Sequence, residues 1–151
     1  MKKSMSKPFN QYTKKFSLLV FILIISSCTP TKKPIESKPL FDILFSDEFG
    51  GGSFQFYEII TEENEFKMLL SDDLIKSYVK KDDIKTSNYI LVNLGEKPSG
   101  GYTIKVENVE ELSDKIIVTI KEIPPSGIAT SVMTKPCYVI KIKSKKPIEI
   151  K

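Results

Sequence analysis

Leu94-Gly95-Glu96-Lys97-Pro98-Ser99-Gly100-Gly101-Tyr102 separates two strand patterns, and the fold turns on how it joins them. Before it, Tyr89 to Leu94 is apolar and rich in β-branched and aromatic residues; after it, Tyr102 to Glu107 alternates apolar and polar. Two such runs joined by glycine and proline predict a β-hairpin with a structured loop. Lys97-Pro98-Ser99-Gly100 fits a type I turn: Pro98 presets φ at the second position and Gly100 stands where glycine is favoured. Gly101 supplies a positive φ or a bulge as the second strand starts. Read blandly, these residues make a turn and nothing more. Read functionally, Gly95, Lys97, Pro98, Ser99, Gly100, Gly101 and Tyr102 form an interaction loop. Tyr102 is either a hot-spot aromatic or the first core residue of its strand. Its phase with Ile104 and Val106 favours the core and leaves Pro98 and Ser99 as the contact residues.

Working towards the C-terminus, Lys115 to Lys121 predicts a strand with Ile116, Val118 and Ile120 facing the core. Ile123-Pro124-Pro125-Ser126-Gly127 ends it, and Ile128 to Thr134 reads as a connection of polar and small residues. Pro136 to Ile142 then places Tyr138, Ile140 and Ile142 on one face, with Cys137, Val139 and Lys141 on the other. Ile148 and Ile150 suggest a last short strand. Working towards the N-terminus, Glu62 to about Lys76 predicts the one convincing helix. Phe66, Leu69, Leu70 and Leu74 recur at helical spacing, acids load the first turn and Thr61 is the candidate N-cap. Phe54 to Ile60 and Leu40 to Phe45 are strand patterns. Gly50-Gly51-Gly52 lacks the Gly-Lys-Ser/Thr ending of a phosphate loop and reads as a flexible turn. Short loops between consecutive strands argue for antiparallel pairing. The expected fold is mainly β: an antiparallel, sandwich-like domain over residues 40–151 with one packed α-helix. An α+β description is the near alternative.

The first residues carry a different message. Residues 1–15 are polar and basic, and Phe16 to Ile25 is an apolar run too short to span a bilayer, which needs about 20 residues. A basic segment followed by such a run reads as an export signal over residues 1–27. It ends in Ile25-Ser26-Ser27-Cys28, which resembles the bacterial lipobox. The resemblance implies cleavage between Ser27 and Cys28, with acyl chains such as palmitate carried on Cys28. Two or three chains anchor stably, at roughly 0.8 kcal/mol per buried methylene. The protein would then be lipid-anchored in a bacterial cell envelope, in the outer membrane where there are two, with residues 28–39 as a flexible tether.

Composition removes several function classes. All 23 basic residues are lysine, and there is no Arg, His or Trp. Without His there is no Ser-His-Asp or Cys-His catalysis and no His-ligated metal. Without Arg there is no bidentate reading of phosphate or guanine. Residues 28–151 hold 18 lysines against 19 acids, so the net charge of +4 resides in the leader and leaves no footprint for nucleic acid. The acid pairs Asp72-Asp73 and Asp82-Asp83 lack calcium-loop spacing and read as solvated surface. Cys137 is the only cysteine left once Cys28 is acylated, and no His is present to activate it. We therefore expect a protein that is not an enzyme, with no cofactor and no metal.

Asn93 to Ile104, Ile116-Ile117-Val118 with Glu122 and Pro124-Pro125, and Thr134 to Ile142 resemble the C-terminal domain of the PrcB family, the lipoprotein subunit of a spirochaete surface protease complex. The resemblance covers about residues 88 to 151. It implies a non-catalytic, protein-binding subunit that supports assembly or stability of an exported serine protease. The 97–102 loop is also similar in outline to the Asn-Pro-Thr-Thr-Gly-Tyr loop of chagasin-like protease inhibitors. It lacks the Asn before proline and has Ile104 where an aromatic is usual. That likeness implies inhibition as the alternative, with only Ser126-Gly127 to serve as a second inhibitor loop.

Overall fold

The computed structural model describes residues 39–151. The proposed signal segment, the Ser27–Cys28 junction and all but Pro39 of the proposed tether lie outside the described residues. Among the described residues, seven strands, one α-helix and one short 3-10 helix follow in the order β1 (Phe41–Asp47), β2 (Gln55–Ile60), α1 (Glu63–Ser71), the 3-10 helix (Lys81–Lys85), β3 (Asn88–Leu94), β4 (Thr103–Glu111), β5 (Ile116–Ile123), β6 (Cys137–Ile142) and β7 (Ile148–Ile150). They form a four-stranded sheet in the order β1-β6-β3-β2 and a three-stranded sheet in the order β4-β5-β7. The fold is mainly β and sandwich-like, as expected.

Strands β3 and β6 hold the centre of the larger sheet because both of their faces are apolar. Ile90, Val92 and Leu94 of β3, with Tyr138, Ile140 and Ile142 of β6, pack against Ile104, Ile116, Val118 and Ile120 of the smaller sheet. On the opposite face, Tyr89, Cys137 and Val139 pack against Phe66 and Leu69 of α1 and against Ile75, Val79 and Ile84 beyond it. The division of β6 between two faces is thus as the alternation predicted. Each fully buried Ile, Val or Leu contributes about 1.5–3 kcal/mol, so this sheet, covered on both sides, is the main source of stability.

The predicted hairpin between Tyr89–Leu94 and Tyr102–Glu107 does not form. Strand β3 pairs with β2 on one side and β6 on the other, whereas β4 pairs with β5 in the second sheet. A strand buried on both faces belongs at the centre of a sheet and leaves no edge for its sequence neighbour. Residues 95–102 are therefore a crossover between sheets. Strand β7 runs parallel to β5, not antiparallel. After β6 the chain crosses to the second sheet at the end where β5 begins, and Ile116 N–H donates to Pro147 O at 2.8 Å.

The helix is shorter than the periodicity suggested. Its N-cap is Glu62, not Thr61, and the Glu65 side chain accepts the N–H groups of both residues. It ends at Ser71 because the Asp72 carboxylate accepts the N–H groups of Leu74 and Ile75, which turns the chain. Leu74 consequently lies outside the helix and is exposed. Beyond it, the 3-10 helix brings Asp83 to Lys141 at 2.9 Å, and the Tyr89 hydroxyl donates to the same carboxylate at 3.3 Å. Burial opposes ionisation of Asp83, but the hydrogen bond and charge of Lys141, aided by Tyr89, hold its carboxyl below the ordinary value.

Strand register gives the domain two distinct ends. Phe41 and Asn88 both pair with Ile142, while Asp47 and Asn93 both pair with Cys137. The chain comes in at the Ile142 end. The loops after β1, after β3 and before β6 all emerge at the other, about 20 Å away along the seven residues of β1.

Candidate functional site

Three loops meet at the end away from Leu40: residues 48–54, 95–102 and 124–136. They are joined by hydrogen bonds between chain segments far apart in sequence. Lys97 and Thr134 exchange two backbone bonds, at 2.8 and 3.0 Å. Gly100 N–H donates to Thr130 O at 3.2 Å, and the Thr134 hydroxyl donates to Ser99 O at 2.9 Å. Glu96 N–H donates to Ser53 O at 3.2 Å. Lys135 N–H donates to Glu48 O at 2.7 Å, and Gly51 N–H donates to Lys135 O at 2.8 Å.

These bonds also explain why Lys97–Gly100 is not a closed type I turn. The Lys97 carbonyl accepts from Thr134, and the Gly100 N–H goes to Thr130. Pairing with a neighbouring loop has replaced pairing within the turn. Gly101 takes the positive φ expected of it, at 84°, and a Cβ there would lie 3.1 Å from Pro125 Cβ. Gly95 has φ 75° as well, and a Cβ would come 2.8 Å from Gln55 N, so the crossover leaves β3 against β2 with no room for a side chain.

The glycine run at 50–52, expected as a flexible turn, is tied to β3 and to Lys135 by hydrogen bonds. Asn93, only 1% exposed, donates from its amide to Phe54 O at 2.6 Å and Gly52 O at 3.3 Å. Its oxygen accepts Gly52 N–H at 3.2 Å. A Cβ on Gly51 would fall 2.3 Å from that oxygen, so glycine is what lets the loop lie down on Asn93. Upstream, the Asp47 carboxylate accepts the N–H groups of Phe49 and Gly50 at 2.7 and 2.6 Å. A polar residue inside an otherwise apolar, doubly buried strand was the sequence signal for Asn93; its partners, some 40 residues away, were not legible.

Of the predicted loop residues, Pro98 and Gly101 are exposed, Lys97, Ser99 and Tyr102 are half-buried, and Gly95 and Gly100 are buried. Lys97 turns inward, with Nζ 2.7 Å from Glu122 Oε1 and 5.3 Å from the centre of the Tyr102 ring. Tyr102 packs at the margin of the inter-sheet core, and its carbonyl accepts the Tyr138 hydroxyl at 3.3 Å. The 97–102 and 125–130 segments bound a cleft of about 370 Å³ lined by Gly100, Gly101, Pro125, Ser126, Ile128 and Thr130. The segment from Ile128 to Thr134, expected to be merely polar and small, displays Ile128, Val132 and Met133 in solvent.

Cys137 is buried beneath the 48–54 loop. Burial, aided by the carboxylates of Asp47 and Asp72, pushes its thiol up to about 11. The thiol is thus un-ionised at neutral pH. Among the described residues, no three His, Cys, Asp or Glu side chains are grouped to hold a metal ion.

Residues 88–143 match the family described as PrcB C-terminal. The match runs from β3 through β6 and takes in the 95–102 and 124–136 loops. An uncharacterized protein of Methanocaldococcus jannaschii is 36% identical over 74 residues, covering 49% of this chain and 44% of its own length. The chain therefore spans less than half of that relative. No solved structure matches the chain.

Proposed function

We propose that this chain, over the residues where it is PrcB-like, is a non-catalytic protein-binding subunit that supports assembly or stability of an exported protease complex, held to the cell envelope by acyl chains on Cys28. One observation carries the binding part. Three loops from distant parts of the sequence are fastened to one another at a single end of the domain, through Lys97–Thr134, Gly100–Thr130, Gly51–Lys135 and Glu96–Ser53. A surface fixed before contact loses less entropy when it docks than a mobile one. The match to PrcB C-terminal over residues 88–143 supports reading the partner as a protease complex, and the likeness of Ile25 to Cys28 to a lipobox supports reading Cys28 as the anchor. The test is purification from detergent-solubilised membranes through a tag after Lys151. We expect a stoichiometric exported protease, whose maturation fails in a deletion strain. Normal maturation in that strain, with the lipoprotein recovered alone, overturns the reading. Retention of membrane association by Cys28→Ser overturns the anchor separately.

Inhibition is the second reading, and one contact favours it. The Gly100–Thr130 bond sets the Ser126-Gly127 turn beside the 97–102 loop, the juxtaposition a two-loop inhibitor needs. It predicts that the domain from Leu40 onward slows papain or subtilisin at sub-micromolar concentration. It also predicts that replacing Pro98, Ser99 and Gly100 abolishes the effect. No slowing of either protease would remove it.

A further inference from the structure

We infer that the 124–134 loop inserts into an uncharged, apolar socket on the partner protein, with Ile128 as the leading side chain; this rests on the protein-binding reading above. Ile128 is fully exposed at 106%, next to Gly127, where φ is 87° and nothing lies within 4 Å of a would-be Cβ. The tip thus stands clear of the domain. Val132 and Met133 are also more than half exposed, at 51% and 59%. Single exposed apolar residues need no explanation, but three within six positions of one loop make a patch.

The charge pattern selects the occupant. No charged residue lies between Pro124 and Thr134, and the two nearby lysines are paired within the domain, Lys97 with Glu122 at 2.7 Å and Lys135 with Glu96 at 3.6 Å. A charged partner surface would lose its hydration here and gain no counter-charge, so the complementary surface is apolar and uncharged. The root of the loop is fixed through Thr130 and Thr134, the latter only 1% exposed, so insertion demands little ordering. A bilayer fits less well than a protein socket. The apolar stretch offers no lysine to anionic headgroups, the lysine at its root, Lys135, being paired with Glu96 at 3.6 Å, and the chain comes into the domain at the opposite end, beside Ile142.

The test places the photoreactive residue benzoylphenylalanine at position 128, 98 or 113 of the full chain in its native membranes. Ser113 lies in the β4–β5 turn, at the end away from the loops. We expect one discrete protein adduct from position 128 and none from position 113. Its yield should be unchanged from about 0.1 to 1 M salt, because no charge is engaged. Adding Val132→Ser and Met133→Ser should lower it about tenfold, the loss expected for two apolar contacts. An unchanged urea midpoint would show that the fold of that variant is intact. An adduct from position 98 alone overturns the socket and leaves the protein-binding reading standing. Adducts from 113 alone, or from none of the three, overturn both. A lipid adduct at 128, or a yield that falls with salt, overturns the socket in favour of a bilayer or a charged partner.

Discussion

Replacing Asn93 tests whether the three-loop end is built on the sheet or merely rests on it. Asn93→Ala removes two donated bonds and one accepted bond, to Phe54 O, Gly52 O and Gly52 N–H. At about 0.5–1.5 kcal/mol net for each, with the partners left short of bonds, the cost is about 2–4 kcal/mol. Asn93→Asp is the sharper probe. At neutral pH its carboxylate can still accept from Gly52 but cannot donate to Phe54 O, which lies 2.6 Å from the wild-type amide nitrogen. A buried charge then faces a carbonyl oxygen, and the cost rises to about 3–5 kcal/mol. Burial raises the folded pKa of the new acid above its unfolded value. The penalty is therefore present above the unfolded value of about 4, grows with pH up to the folded value, and shrinks below about pH 4 as the protonated acid regains a donor. Urea midpoints of wild type, Asn93→Ala and Asn93→Asp at pH 3.5 and pH 7 decide the matter, since other carboxylates cancel in the difference. With a slope of about 1–3 kcal/mol per molar urea, the shifts at pH 7 are about 1 M or more. Amide exchange across residues 50–54 should accelerate in both variants. A midpoint for Asn93→Asp equal to wild type, or a deficit that does not change with pH, would refute the reasoning.

Three further outcomes follow from the packing. Asp83 has a folded carboxyl below its ordinary value, so its contribution is full above the unfolded value and is lost as pH falls through the folded one. Asp83→Asn should flatten the acid limb of the stability curve below about pH 4, as read by thermal melts across pH. Gly101→Ala puts a methyl 3.1 Å from Pro125 at φ 84°, whereas Gly127→Ala meets open space at φ 87°. Both carry the left-handed penalty of about 1 kcal/mol, but only Gly101→Ala should also strain the contact between loops, giving the lower melting temperature. Cys137 should resist a thiol reagent in the folded protein at pH 8 and react on unfolding, because its pKa is about 11. Rapid labelling of the native protein would contradict the burial.

Much of the layering was legible because alternation is local. Cys137 and Val139 against Tyr138, Ile140 and Ile142 declared two faces of one strand, and both faces proved buried. Ile116, Val118 and Ile120 likewise face the core as their period required. Connectivity was less legible. A turn-like stretch such as 95–102 looks the same locally whether it reverses the chain within a sheet or carries it to another. The choice is made by β2 and β6, which occupy both sides of β3. The candidate site suffered from the same cause. Its glycines were visible, but Thr134, Thr130 and Asn93 act through partners 30 to 40 residues away. The apolar tip at Ile128 was hidden by the small and polar residues around it.

The opposed ends of the domain set how it would carry load. A pull applied at Leu40 and resisted at the three loops runs along the axis of β1. That strand is paired antiparallel to β6 from Phe41–Ile142 to Asp47–Cys137. Force in that direction shears the ladder, so its rungs share the tension instead of parting one at a time. Had the loops and the incoming chain emerged at the same end, the same force would have peeled β1 from β6 rung by rung. The arrangement makes the domain a stiff link, interrupted along this ladder by the bulge between Ile43 and Phe45, where the register shifts.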